Sequence, residues 1–144
     1  MSVSDTNKLL KECDAGVKMA IASIDDVLDD VSDETLKSIL IENKQEHKNV
    51  EQKINRLLDT MHEEEKKPAM LAKGMSIIKT HFKMSMEHSD ATIADLITDG
   101  CDMGTKSLHR YKNQYKNADA SSIELCNHLI ALEETLREKL RNYL

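Results

Sequence analysis

An all-α fold, two helical hairpins joined by a long crossover that carries an extra helix, is what this sequence predicts. Three observations lead there. Four glycines and one proline among 144 residues leave too little turn punctuation for a sandwich or barrel. One Phe, three Tyr and no Trp deny strands the residues they favour. Apolar side chains recur at three- and four-residue spacing through most of the chain, the period of a helix face. At this length the chain makes one domain, residues 1–144, with hairpin one at about 5–62, the crossover at about 63–90 and hairpin two at about 91–144.

In the first helix Leu9, Leu10, Cys13, Val17, Ala20, Ile24, Val27, Leu28 and Val31 share a face. Ser32 and Asp33 supply an N-cap, and Leu36, Leu40, Val50, Ile54, Leu57, Leu58 and Met61 form the stripe of the second helix, to about residue 62. A turn of a few residues obliges these two to lie antiparallel. The third helix aligns Ile93, Leu96, Ile97, Gly100, Cys101, Gly104, Leu108, Tyr111 and Tyr115 before Asn117 to Ala120 break the pattern. Ser121-Ser122-Ile123-Glu124 reads as a capping box, and the fourth helix turns Ile123, Cys126, Leu129, Ile130, Leu136, Leu140 and Leu144 inward. Cys13-Asp14-Ala15-Gly16-Val17-Lys18 and Cys101-Asp102-Met103-Gly104-Thr105-Lys106 stand at matching places in the two hairpins, which points to an internal duplication.

Between the hairpins, Pro68 suits a first helical position, and Leu71, Met75, Ile78, Phe82 and Met86 follow on one stripe. This connector far exceeds what a bundle turn needs. It can run the length of the bundle and leave the second and third helices parallel.

Charge and composition narrow the function. The net charge of −6 argues against general nucleic-acid binding, which needs a field of opposite sign. Residues 66–86 depart from it, with five lysines and no acidic residue. No stretch approaches the roughly 18 to 20 apolar residues of a membrane span, and the first residues have neither a basic start nor an apolar signal core. Cys13, Cys101 and Cys126 are odd in number and widely spaced, which suits neither a disulfide framework nor a zinc knuckle. A cytoplasmic location is expected. No Gly-x-Ser-x-Gly elbow or phosphate-cradling glycine loop occurs, and no catalytic residue is assigned. The acidic run Asp25 to Asp30 lacks the glycine and terminal Glu of a calcium loop.

Hairpin order, the long crossover and the paired Cys-Asp-x-Gly-x-Lys segments together resemble the ferritin-like superfamily, particularly its small bacterial members of unknown function, over nearly everything from Leu9 onward. The resemblance implies a four-helix bundle and raises the question of a di-metal centre. That centre takes a Glu from each of two helices and Glu-x-x-His from each of the other two. No Glu-x-x-His occurs here. Glu124 and His128 point away from the apolar stripe, and in the first helix Glu12 and Asp14 lie off the stripe as well. The resemblance therefore carries the fold without the oxidase or iron-storage chemistry, and the expected role is structural or interaction-based rather than enzymatic.

Polar residues nevertheless interrupt two buried stripes. Asn43 and His47 fall between Leu40 and Val50, and Glu133 falls between Ile130 and Leu136. Counting from the turns places His47 level with Gly16 and Glu133 level with Gly104, near mid-bundle. Left without partners, such groups would cost several kcal/mol, on the order of 1–3 kcal/mol each. One reading is a metal site, zinc or iron, formed by His47 and Glu133 with one or both of Cys13 and Cys101. The favoured reading needs no cofactor: His47 and Asn43 satisfy Glu133, Arg137 neutralises it, and the thiols fill space. For Gly100 and Gly104 the favoured reading is close approach of the first helix, the other being relief of crowding around the polar layer. The crossover stripe Leu71, Met75, Ile78, Phe82 is either a cover for its own bundle, the favoured reading, or a surface for a protein partner. A homodimer fits the same pattern.

Overall fold

The computed structural model describes residues 3–62, 82, 83, 85 and 87–144. The elements are α1 (Val3–Leu28), α2 (Glu34–Thr60), α3 (Asp90–Gln114) and α4 (Ala120–Leu140), followed by a single 3-10 turn, Arg141–Tyr143. No strand occurs among the described residues, and none of their helices is long and apolar enough to cross a membrane. The all-α expectation holds.

Short polar side chains start the helices where the sequence places them. Asp33 caps α2, its carboxylate accepting from the Leu36 N–H at 2.8 Å, and Ser89 caps α3 by accepting from the Thr92 N–H. The capping box expected at Ser121 is not used. Asp119 caps α4 instead, its carboxylate accepting from the Ser122 N–H at 2.8 Å, because a carboxylate in that place satisfies the first turn without a partner three residues on. At the far end α4 tightens into the 3-10 turn, so Leu144 is exposed and not inward.

Contacts between the helix ends fix their directions. The backbone N–H groups of Ser32 and Asp33, in the α1–α2 turn, donate to the two carboxylate oxygens of Asp90 at the start of α3 (2.9 and 3.0 Å). At the opposite end, Asn117 and Asp119 in the α3–α4 turn donate to Asp5 and to Thr6 Oγ1 at the start of α1 (3.1 and 2.9 Å). Thus α1 begins where α3 ends, and the two are antiparallel; α2 and α3 run parallel, as the long crossover requires. At 1.5 Å per residue the 27-residue α2 is about 40 Å long, the distance the connection must recross. Around the bundle α1 packs on α2 and α3, α4 packs on α3 and α2, and α1 also meets α4 across the centre.

The core divides in two. One cluster joins Leu9, Leu10, Cys13 and Val17 to Val50, Ile54, Leu58, Leu108, Cys126 and Leu129. The other joins Ile24, Val27, Leu36 and Leu40 to Ile93, Ile97, Cys101, Leu136 and Leu140. Every helix switches from one cluster to the other near its middle, and the residues at the switch are Ala20 in α1, Asn43 and His47 in α2, Gly104 in α3 and Glu133 in α4. A polar layer thus crosses the bundle at half height.

Phe82 agrees with the favoured reading of the crossover stripe and not with the partner-surface alternative. It is buried in the second cluster and stacks on His88 with ring centroids 4.3 Å apart, so it belongs to its own bundle and not to a partner surface. Leu71, Met75 and Ile78 lie outside the described residues.

Candidate functional site: a cavity over a buried imidazole and carboxylate pair

The helical register carries the polar layer inward. His47 stands one turn after Asn43 on the α2 face that also buries Leu40 and Val50, so its ring is held in the core by the same packing that holds its neighbours. His47 is 1% exposed and Glu133 8%, and Nε2 of the ring lies 2.7 Å from Glu133 Oε1. Nδ1 lies 2.9 Å from the Asn43 carbonyl, an acceptor only, so that nitrogen carries a proton. Burial pulls the His47 pKa down, but the hydrogen bond to Glu133 and its charge more than offset this, and the ring titrates above its ordinary 6.5. Both contacts suit an imidazolium that donates from each nitrogen. The geometry is that of a buried, hydrogen-bonded imidazole and carboxylate pair.

Asn43 completes one side. Its Nδ2 donates to the Leu132 carbonyl of α4 at 3.3 Å, which fixes the amide orientation and leaves Oδ1 a buried acceptor without a donor. Cys101 contributes from α3: its thiol is pushed far up, by burial first and then by the charge and hydrogen bond of Glu133. It is an un-ionised donor toward that carboxylate.

Two expected participants stand elsewhere. Cys13 belongs to the lower cluster, where its thiol is pushed up by a hydrogen bond to Cys126 and by burial; Cys126 in turn donates to the Leu108 carbonyl at 3.7 Å. The step from Cys13 to Gly16 is nearly a helical turn, and it carries the thiol below the polar layer. Arg137 does not neutralise Glu133. Its guanidinium reaches outward to Asp102 of α3 at 2.9 Å, because position 137 faces the rim of the bundle and position 133 its inside. Among the described residues no three His, Cys, Asp or Glu side chains are grouped to hold a metal ion.

The glycines open space where close packing was expected. A cavity of about 410 Å³ lies between α1 and α3, with Glu133, His47, Asn43 and Cys101 among its lining residues. A Cβ added at Gly16 would meet nothing within 4 Å; one at Gly104 would stand 3.5 Å from Glu133 Oε2. Gly104 stands opposite Glu133 as the count from the turns places it, and Gly16 shares the cavity lining with His47 without a neighbour against it. Gly16, Asp99 and Met103 line the cavity and are exposed, which gives it a mouth to solvent. Otherwise the walls are largely aliphatic, including Val17, Ile24, Ile97, Leu108, Leu129 and Leu136.

One buried acid was missed in the sequence. Asp14 is fully buried and pairs with Lys18, which also approaches Glu51 of α2 at 3.6 Å. The lysine four residues on was the available signal, since an i, i+4 pair lets a carboxylate stay charged at the edge of the core. Glu124 and His128, in contrast, are exposed as their helical phase requires.

Compared with known protein families, curated proteins and solved structures, the chain gives no match.

Proposed function

We propose that this chain is a ferritin-like bundle without a di-metal centre, which works as a non-catalytic binding protein for a small, mostly apolar ligand held between α1 and α3. The antiparallel hairpins and the parallel α2 and α3 support the ferritin-like plan. The metal set of that plan does not fit: the chain has no Glu-x-x-His, and the Glu124 and His128 side chains face solvent. Three buried free thiols support a reducing, cytoplasmic setting.

The observation that carries the binding role is the cavity of about 410 Å³ with a buried imidazole and carboxylate pair in its wall. Its volume lies within the range of ligand pockets, which are largely apolar with a few convergent polar groups and occur between the helices of bundles. The cavity opens to solvent, so an occupant that covers its aliphatic walls gains by taking them out of water.

The test uses a neutral apolar fluorophore, N-phenyl-1-naphthylamine, titrated with the wild-type chain and with Gly16→Leu. Saturable, blue-shifted emission at one dye per chain is expected for wild type and its loss for the variant, whose added side chain plugs the mouth in a helix that tolerates it. No saturable binding to wild type, or equal binding to a folded Gly16→Leu chain, contradicts the reading.

A further inference from the structure

We infer that the ligand of the α1–α3 cavity is a protonated amine on an apolar body, held by its ammonium at Glu133; this rests on the binding role proposed above. The charged residues lining the cavity are Glu12 of α1, Asp99 of α3, Glu133 of α4 and, as the single base, His47 of α2. No lysine or arginine is among them. A carboxylate or phosphate head would enter against a lining with three acids and one imidazole, a net negative wall even with His47 charged, whereas a cation enters with the field.

Hydrogen-bonding capacity points the same way. Glu133 gives Oε1 to His47, while Oε2 faces the space left by the absent side chain of Gly104, where a Cβ would lie 3.5 Å from it. A carboxylate offers about four lone-pair sites, so the bonds from His47 and Cys101 leave Glu133 able to accept another. Asn43 Oδ1 adds a buried acceptor that has no donor. The surplus is of acceptors, and an ammonium, with three N–H donors and no acceptor, complements it. An alcohol supplies one donor and no charge. The aliphatic walls from Val17 to Leu136 would cover the hydrocarbon part, and exposed Met103 gives the mouth an apolar lip.

The experiment displaces the fluorophore with n-octylamine, n-octanol and n-octanoate at neutral pH. On the wild-type chain the amine should bind about ten-fold more tightly than the alcohol, the ratio expected for a charge-assisted hydrogen bond to a carboxylate, and octanoate most weakly. Glu133→Gln should bring amine and alcohol within about two-fold of each other, and Gly16→Leu should abolish all three. The paired Glu133→Leu/His47→Leu replacement, which leaves no buried charge, gives the same comparison in a chain without the polar pair. Alcohol equal to amine, octanoate as the tightest ligand, or an amine advantage that survives both Glu133 replacements overturns the amine assignment while the cavity reading stands. Failure of the fluorophore itself to bind overturns the cavity reading and this inference with it.

Discussion

His47 and Glu133 hold each other inside a core that neither could enter alone. Removing one partner leaves an uncompensated buried charge, so His47→Ala or Glu133→Ala should each lower the unfolding free energy by about 3–5 kcal/mol in urea melts. Replacing both by leucine should cost less than the sum of the two single losses, because no polar group is then stranded. The pair also sets a pH dependence. The folded pKa of His47 lies above its ordinary 6.5, so its contribution is complete below about 6.5 and is lost as pH rises through the raised value. The stability of wild type relative to His47→Gln should therefore fall as pH rises from 6.5 through the raised value. A difference that stays flat, or grows, across that interval contradicts a charged ring. These residues were visible in the sequence as polar interruptions of apolar stripes, and helical phase alone was enough to bury them. Their partners were harder to read. That Arg137 turns to Asp102, and Cys13 to Cys126, depends on which side of a neighbouring helix each faces, and the period within one helix carries no such information.

At the scale of the helices, boundaries and glycines give the sharpest tests. With Asp119 as the cap of α4, Asp119→Ala should cost about 1 kcal/mol and Ser121→Ala only a few tenths, measured by thermal or urea unfolding. The capping-box pattern was a reasonable reading, but the preceding acid competes for the same N–H groups and starts the helix earlier. Gly16→Ala should stabilise the chain by about 0.5–1 kcal/mol, since an added Cβ meets nothing and the helix gains propensity. A tightly packed helix contact at Gly16 would have made that substitution destabilising. The four described helices, their hairpin order and their direction followed from periodicity and turn length, while the extra helix expected in the crossover lies outside the described residues. The cavity did not, because a glycine removes a side chain without saying whether a neighbouring helix moves in to use the room.

Over the whole molecule, the polar layer divides the core into two apolar clusters joined by four continuous helices. Phe82 ties the end of the crossover into the upper cluster, and Phe82→Ala should cost about 3 kcal/mol or more of stability. A near-neutral effect would return Phe82 to the surface. The two Cys-Asp-x-Gly-x-Lys segments are used differently: Asp14 is buried with Lys18, while Asp102 reaches across to Arg137, and of Gly16 and Gly104 only Gly104 stands against a carboxylate. The central claim, an imidazole and carboxylate pair at mid-bundle beside the α1–α3 cavity, is tested most directly by nitrogen-15 NMR of the His47 ring as a function of pH. The ring should titrate above its ordinary 6.5, and Glu133→Gln should bring the titration down. A wild-type ring that titrates below 6.5, or a titration unmoved by Glu133→Gln, would contradict the account.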